Sequence, residues 1–178
     1  NPKNTEAILG LSESLTAVGI QAAGDSNNEA GVPLLEEAVK YNPKNEVAFA
    51  RLGEIHAAHG RNSLAVANYE KALAIDPELS SLYLPAALAY VEAGNVARAE
   101  FYLAKAEAAG TDGSDAKFAR GALLAKQNKN QEALAVFDQI AQAEPMNGAV
   151  HYQRAVLFQK LGQQDKAIDA LKRSTQID

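Results

Sequence analysis

The chain of 178 residues has no cysteine and no tryptophan. Without thiols it has no disulfide framework, thiolate zinc site or cysteine nucleophile, and both reducing and oxidising compartments stay open to it. Aromatic residues make up only 6%, which favours a stack of small units over one large core. Basic residues are outnumbered 17 to 22 by acidic ones, for a formal net charge of −5. That balance repels a phosphate backbone, so no nucleic-acid partner is expected. No run of about eighteen apolar residues is present, so no direct membrane insertion is expected. The opening NPKNTEAILG lacks the basic region and apolar core of a signal peptide. Its NP resembles the NP at 42–43, which implies a segment of a longer protein and leaves localisation open.

Catalytic signatures are missing too. There is no Gly-rich phosphate loop behind a strand, no nucleophile elbow and no HExxH. Carboxylate pairs such as Glu36 with Glu37 read as solvated helix faces, because a catalytic pair also needs an apolar pocket to shift its pKa. The expectation is a chain that is not an enzyme, with no cofactor and no metal.

What the sequence does contain is a period. Pro43, Pro77 and Pro145 stand 34 and then 68 residues apart, with Thr111 in the vacant place. Gly60, Gly94 and Gly162 keep the same step, with Asn128 between them, and so do Ala65, Ala99, Ala133 and Ala167. Proline lacks an N–H and drives the residue before it out of the helix, so each such position ends one helix and opens the next. Between prolines lie two apolar patterns of helical spacing joined by a glycine-centred turn. They predict helix pairs at about 4–23 and 28–41, 45–58 and 62–75, 78–92 and 95–109, 114–127 and 130–142, and 147–160 and 164–177.

The stretch FARLGEIHAAHGRNSLAVANYEKALAIDP at 49–77 resembles the tetratricopeptide repeat family: an aromatic, Leu-Gly, a turn Gly, then Ala, an aromatic, Ala and Pro. The resemblance extends, with departures, over essentially the whole chain. It implies an all-α fold, a right-handed solenoid of antiparallel helix pairs. One domain over 1–178 would hold five repeats at about 2–42, 43–76, 77–110, 111–144 and 145–178. In it Gly53 allows the paired helices to approach and Tyr69 fills the wedge between neighbours.

Several departures stand out. Pro2 to Pro43 spans 41 residues, so seven are read as added around GIQAAGDSNNEAG at 19–31, either as a surface loop or, the favoured reading, lengthening both helices by a turn with GDSN at 24–27 as the tip. Pro85 lies inside a first helix and should bend it or shift its start. Arg120 and Arg154 stand where the family usually has an apolar residue, and read as structural, each reaching water or a carboxylate such as Asp138 or Asp169. His56 and His59, three apart, have the minimum spacing of a metal pair, yet His56 and His151 fall at aromatic packing positions of the family.

The resemblance also implies a site. Stacked repeats line a concave groove with their first helices, and the family's groove positions fall here on Leu9 and Glu13; Ala50, Arg51 and Glu54; Leu84, Pro85 and Leu88; Phe118 and Ala122; and Tyr152, Gln153 and Val156. This wall is charged at Glu13, Arg51 and Glu54 and apolar at Leu84, Leu88, Phe118, Tyr152 and Val156, which suits a peptide or amphipathic helix of a protein partner. The Lys and Asn of the chaperone-carboxylate clamp are replaced by Leu9, Glu13, Arg51, Ser81 and Pro85. The asparagine ladder of sugar-transferring relatives is replaced by Gly10, Arg51, Pro85, Ala119 and Gln153.

The leading expectation is a non-catalytic protein-interaction scaffold. The alternatives are a regulatory or substrate-docking segment of a larger enzyme or sensor, and end-to-end self-assembly into a homo-oligomer through the C-terminal end, where Ile168 and Leu171 are apolar.

Overall fold

Pro43, Pro77 and Pro145 set the geometry of the residue before them. Asn42, Asp76 and Glu144 have φ of −127°, −127° and −129°, outside the helical region, and each ends a helix. A computed structural model describes the backbone of residues 2–177 and the side chains from residue 4 to residue 177. The described residues form α1 (Pro2–Ala23), α2 (Val32–Tyr41), α3 (Glu46–Ala58), α4 (Asn62–Ile75), α5 (Tyr83–Glu92), α6 (Val96–Ala108), α7 (Ser114–Lys126), α8 (Asn130–Ala143), α9 (Gly148–Lys160) and α10 (Gln164–Ile177). Short 3₁₀ turns at Glu29–Gly31 and Ser80–Leu82 lead into α2 and α5.

Side-chain oxygens cap the first turns. Asn45 accepts from the Ala48 N–H at 3.0 Å and Asn147 from the Val150 N–H at 3.2 Å. At the other ends, Gly60 has φ of +68°, and Arg61 N–H reaches back to the His56 carbonyl at 2.8 Å. Asn128 does the same work at φ +61°, with the Lys129 N–H on the Leu124 carbonyl at 3.0 Å, so the break in the glycine column costs the chain no turn. Thr111 is explained in the same way. Its N–H donates to the Ala106 carbonyl at 2.9 Å to close α6, a bond proline would forfeit.

Pro85 shifts the start of its helix. The helix is expected from about 78, but Ser80–Leu82 is a 3₁₀ turn and α5 begins at Tyr83, which puts Pro85 in the first turn, where its missing N–H is not needed.

The added length of the first repeat lies elsewhere than at 19–31. Gly19 faces Leu35 as Gly53 faces Tyr69 and Gly121 faces Phe137, and all three pairs are in 34-residue phase. Gly31 likewise stands 34 residues before Ala65 and is buried in the same way. From Gly19 onward the first repeat is therefore regular. The surplus is the N-terminal part of α1, which runs 22 residues against 13 for α3, while the second helix is not lengthened. Proline at position 2 sits at the head of this longer helix, so the phase taken from it is displaced by seven residues.

Packing divides the chain into two compact units, Asn1–Ala93 and Gly94–Asp178. In the first, α1 packs on α2, α2 on α3, α3 on α4 and α4 on α5, around Ala23, Leu35, Ala38, Ala48, Leu52 and Ile55. In the second, α6 to α10 pack consecutively, with Leu103, Phe137, Ile140, Val150 and Leu157 fully buried. Both aromatic wedge side chains stand opposite glycine, as Leu35 does opposite Gly19. Tyr69 and Phe137 each lie on a glycine, where a Cβ would stand 2.6 and 2.9 Å from the ring, whereas Leu171 shares its cleft with Ala155.

Candidate partner-binding surfaces

Within the first unit, the corrected phase aligns Thr16, Ala17 and Ile20 with Ala50, Arg51 and Glu54. Ile20, Gln21, Gly24 and Asp25 of α1 and its turn face Val47, Ala50, Arg51 and Glu54 of α3 across a cleft of about 510 Å³. Arg51 is pinned in its floor. Nη1 donates to Glu54 Oε2 at 2.7 Å and Nη2 donates to the Gly24 carbonyl, leaving the side chain 17% exposed. The field of Glu54 extends inward as well: burial first and that carboxylate second push the Tyr69 phenol far up. Leu9 and Glu13 lie exposed on the N-terminal part of α1, away from this alignment, while Leu84, Pro85 and Leu88 are half-buried on α5.

Within the second unit, Tyr152 is 52% exposed, Gln153 and Val156 are half-buried, and Ala122 is buried. Phe118 is half-buried and packs edge-to-face on Phe137, with centroids 5.3 Å apart. Tyr152 and Val156 line a cleft of about 390 Å³ with Gln159 of α9 and with Gln164, Ile168 and Leu171 of α10. The groove residues of repeat five and the apolar residues assigned to the chain's end thus share one surface. Leu171 occupies the wedge column, yet is 42% exposed where Tyr69, Leu103 and Phe137 are 2%, 1% and 0% exposed.

Sequence reasoning missed Ile20, Gln21 and Asp25 because the register was counted from Pro2, and it passed over Val47 beside Ala50 and Arg51. The signal that finds the first three is the column Gly19, Gly53, Gly121, which ignores that proline.

The basic side chains serve packing. Arg154 Nε donates to Asp138 Oδ1 at 2.7 Å, one of the two carboxylates named for the pair of arginines, whereas Arg120 pairs with Glu107 of α6. His56 is buried with Nδ1 unpartnered, and His59 lies at the surface with Nε2 3.1 Å from the Asn27 carbonyl. Burial, then the Arg61 guanidinium, hold His56 below the ordinary histidine value. His151 Nε2 lies 2.9 Å from the Pro145 carbonyl, and Tyr83 donates its hydroxyl to the Pro77 carbonyl at 2.6 Å, so both close back on the proline six residues earlier. Among the described residues no three His, Asp or Glu side chains gather in metal-binding geometry, and no helix is long and apolar enough to cross a membrane.

Comparison with known proteins gives these surfaces a context. The profile of the tetratricopeptide repeat family matches residues 19–80, 84–145 and 118–178. Cellulose synthase operon protein C of Escherichia coli (strain K12) is 40% identical over 65 residues, 36% of this chain and 6% of that protein. The peroxisomal targeting signal receptor of Komagataella phaffii is 28% identical over 172 residues, 89% of this chain and 29% of the receptor. The chain therefore spans only a small part of these curated relatives.

Solved structures share its fold. A MamA structure matches with a TM-score of 0.69 at 20% identity, covering 94% of this chain and 96% of that one. PilW, a type IV pilus biogenesis factor, matches at 0.72 and 22% identity, covering 93% and 77%. YrrB, described as having an unusual peptide-binding site, matches at 0.62 and 20% identity, covering 96% and 84%. With three family segments spanning most of its length, and helix pairs, turn residues and wedge packing in a 34-residue phase, the chain belongs to the tetratricopeptide repeat family and has its all-α helix-pair solenoid fold.

Proposed function

We propose that this chain is a non-catalytic protein-interaction scaffold whose first-helix walls hold a peptide or amphipathic helix of a protein partner. The observation that carries the reading is the cleft beside Tyr152, where Tyr152 and Val156 of the first helix α9 stand with Ile168 and Leu171 of α10 around about 390 Å³ of unfilled space. Apolar anchors in a preformed cleft are what a partner segment needs for affinity. The remaining proposed contacts are Arg51, Glu54, Leu84, Pro85 and Leu88 in the first unit, and Phe118, Ala122 and Gln153 in the second. Family context supports the reading: one relative is named as a receptor for a targeting signal and one structural neighbour for a peptide-binding site. The small share of the relatives that the chain spans is consistent with a docking segment of a larger protein.

Tyr152→Glu is the clean test. Its exposure lets the charge be carried without loss of fold, whereas Phe118→Glu would also break the pair with Phe137. Partner capture from the native host should be lost by Tyr152→Glu while circular dichroism stays helical. Full capture by a folded variant would contradict the proposal.

A second reading, self-assembly, is favoured by the exposure of Leu171. It predicts a mass that rises with concentration in light scattering and reverts in Leu171→Glu; a concentration-independent mass would overturn it.

A further inference from the structure

The cleft between α1 and α3 differs in chemistry from the one beside Tyr152. Its apolar components are Ile20, 36% exposed, Val47, 49% exposed, and Ala50. Its charged components are Asp25, Glu54 and Arg51. The balance of these three is decided by what Arg51 already does. Both terminal nitrogens are engaged, one by Glu54 and one by the Gly24 carbonyl, and Nε is buried. The Arg51 side chain is only 17% exposed, so an incoming anion would reach little of the guanidinium and would meet two carboxylates. An incoming cation meets Asp25, which is exposed, and Glu54, whose side chain remains 38% exposed beyond its single bond to Arg51. One positive and two negative charges leave the cleft net negative, on a chain whose formal charge is already −5.

We propose that this cleft takes a lysine or arginine side chain of a bound partner segment, with a neighbouring aliphatic side chain of that segment packing on Ile20 and Val47. The alkyl stem of a basic residue suits such a site, because it lies along apolar surface while its charged head stays at the carboxylates. The inference rests on the reading that the first-helix walls receive a partner segment, and it names that segment's chemistry in the first unit: basic next to aliphatic.

The test uses the full chain and three fluorescein-labelled peptides of equal length, alternating Leu with Lys, Leu with Glu, and Ser with Lys, in anisotropy titrations at near-physiological salt. The Leu/Lys peptide is expected to bind at least tenfold more tightly than either of the others. The double variant Asp25→Asn with Glu54→Gln should weaken it about tenfold, since the amide introduced at position 54 still accepts from Arg51 but carries no charge. Glu36→Gln with Glu37→Gln, which changes the net charge equally on the exposed face of α2, should leave it unchanged. Equal binding of the Leu/Glu peptide, or equal loss in both double variants, would overturn the inference. Tyr152→Glu separates this failure from failure of the wider reading: if it abolishes partner capture while the Asp25/Glu54 variant leaves peptide affinity unchanged, the scaffold reading stands and the basic-segment inference falls.

Discussion

Gly121→Ala probes the packing rule that sets the distance between paired helices. A Cβ on residue 121 would lie 2.9, 3.0 and 3.2 Å from three atoms of the Phe137 ring. That ring is 0% exposed and is held edge-to-face by Phe118, so it has little room to retreat. Overpacking of this kind costs about 1–3 kcal/mol. Alanine recovers about 0.5–1 kcal/mol over glycine inside a helix. The net expectation is a loss of about 1 kcal/mol. In a Phe137→Ala background the ring is gone and a Cβ on residue 121 no longer meets it. There Gly121→Ala should stabilise by about 0.5–1 kcal/mol. The double-mutant cycle, measured by urea denaturation followed by circular dichroism, should therefore give a coupling of about 1.5–2 kcal/mol with a change of sign. Effects that add to within about 0.5 kcal/mol, or a Gly121→Ala that stabilises the parent chain, would refute the packing rule.

Other perturbations test separate links. Thr111→Pro, although it restores the family residue, should destabilise by at least about 1 kcal/mol in urea denaturation, because it removes the N–H that closes α6 on the Ala106 carbonyl. Asn45→Ala should cost about 1–3 kcal/mol in the same assay. Its side chain caps α3 and also donates to Ser12 and Thr16 at 2.9 and 2.8 Å in a buried cluster, so two hydroxyls lose a partner. Folding holds His56 below its unfolded value near 6.5. The unfolded chain thus binds more protons just below that pH, and stability should fall as the pH drops through about 6.5. His56→Phe should flatten this dependence, and an unchanged slope in denaturation midpoints would assign it to other groups.

Much of the fold was legible because repeat proteins write packing into spacing. Proline before an opening helix, a left-handed residue after a closing one, and glycine opposite an aromatic are each forced by local sterics, so nine of the ten helices among the described residues could be read from period and turn chemistry to within a few residues, α5 starting later because of Pro85. The first repeat shows where that reasoning stops. Pro2 has the right residue type but stands out of phase with the packing, and the contact of Gly19 with Leu35 shows that the core obeys the glycine column instead. The candidate surfaces were legible as positions and not as chemistry. That Arg51 is spent on Glu54 and on a backbone carbonyl depends on how the Gly24 turn folds back, which no polarity pattern encodes.

The central claim is that partners are held on the first-helix walls. Its most direct measurement places a photo-crosslinking residue at Tyr152 in one version of the chain and at the exposed Gln139 of α8 in another, each expressed in the native host and irradiated. Position 152 should crosslink to a discrete partner and position 139 should not. Crosslinking of that partner from position 139 with none from position 152 would contradict the claim.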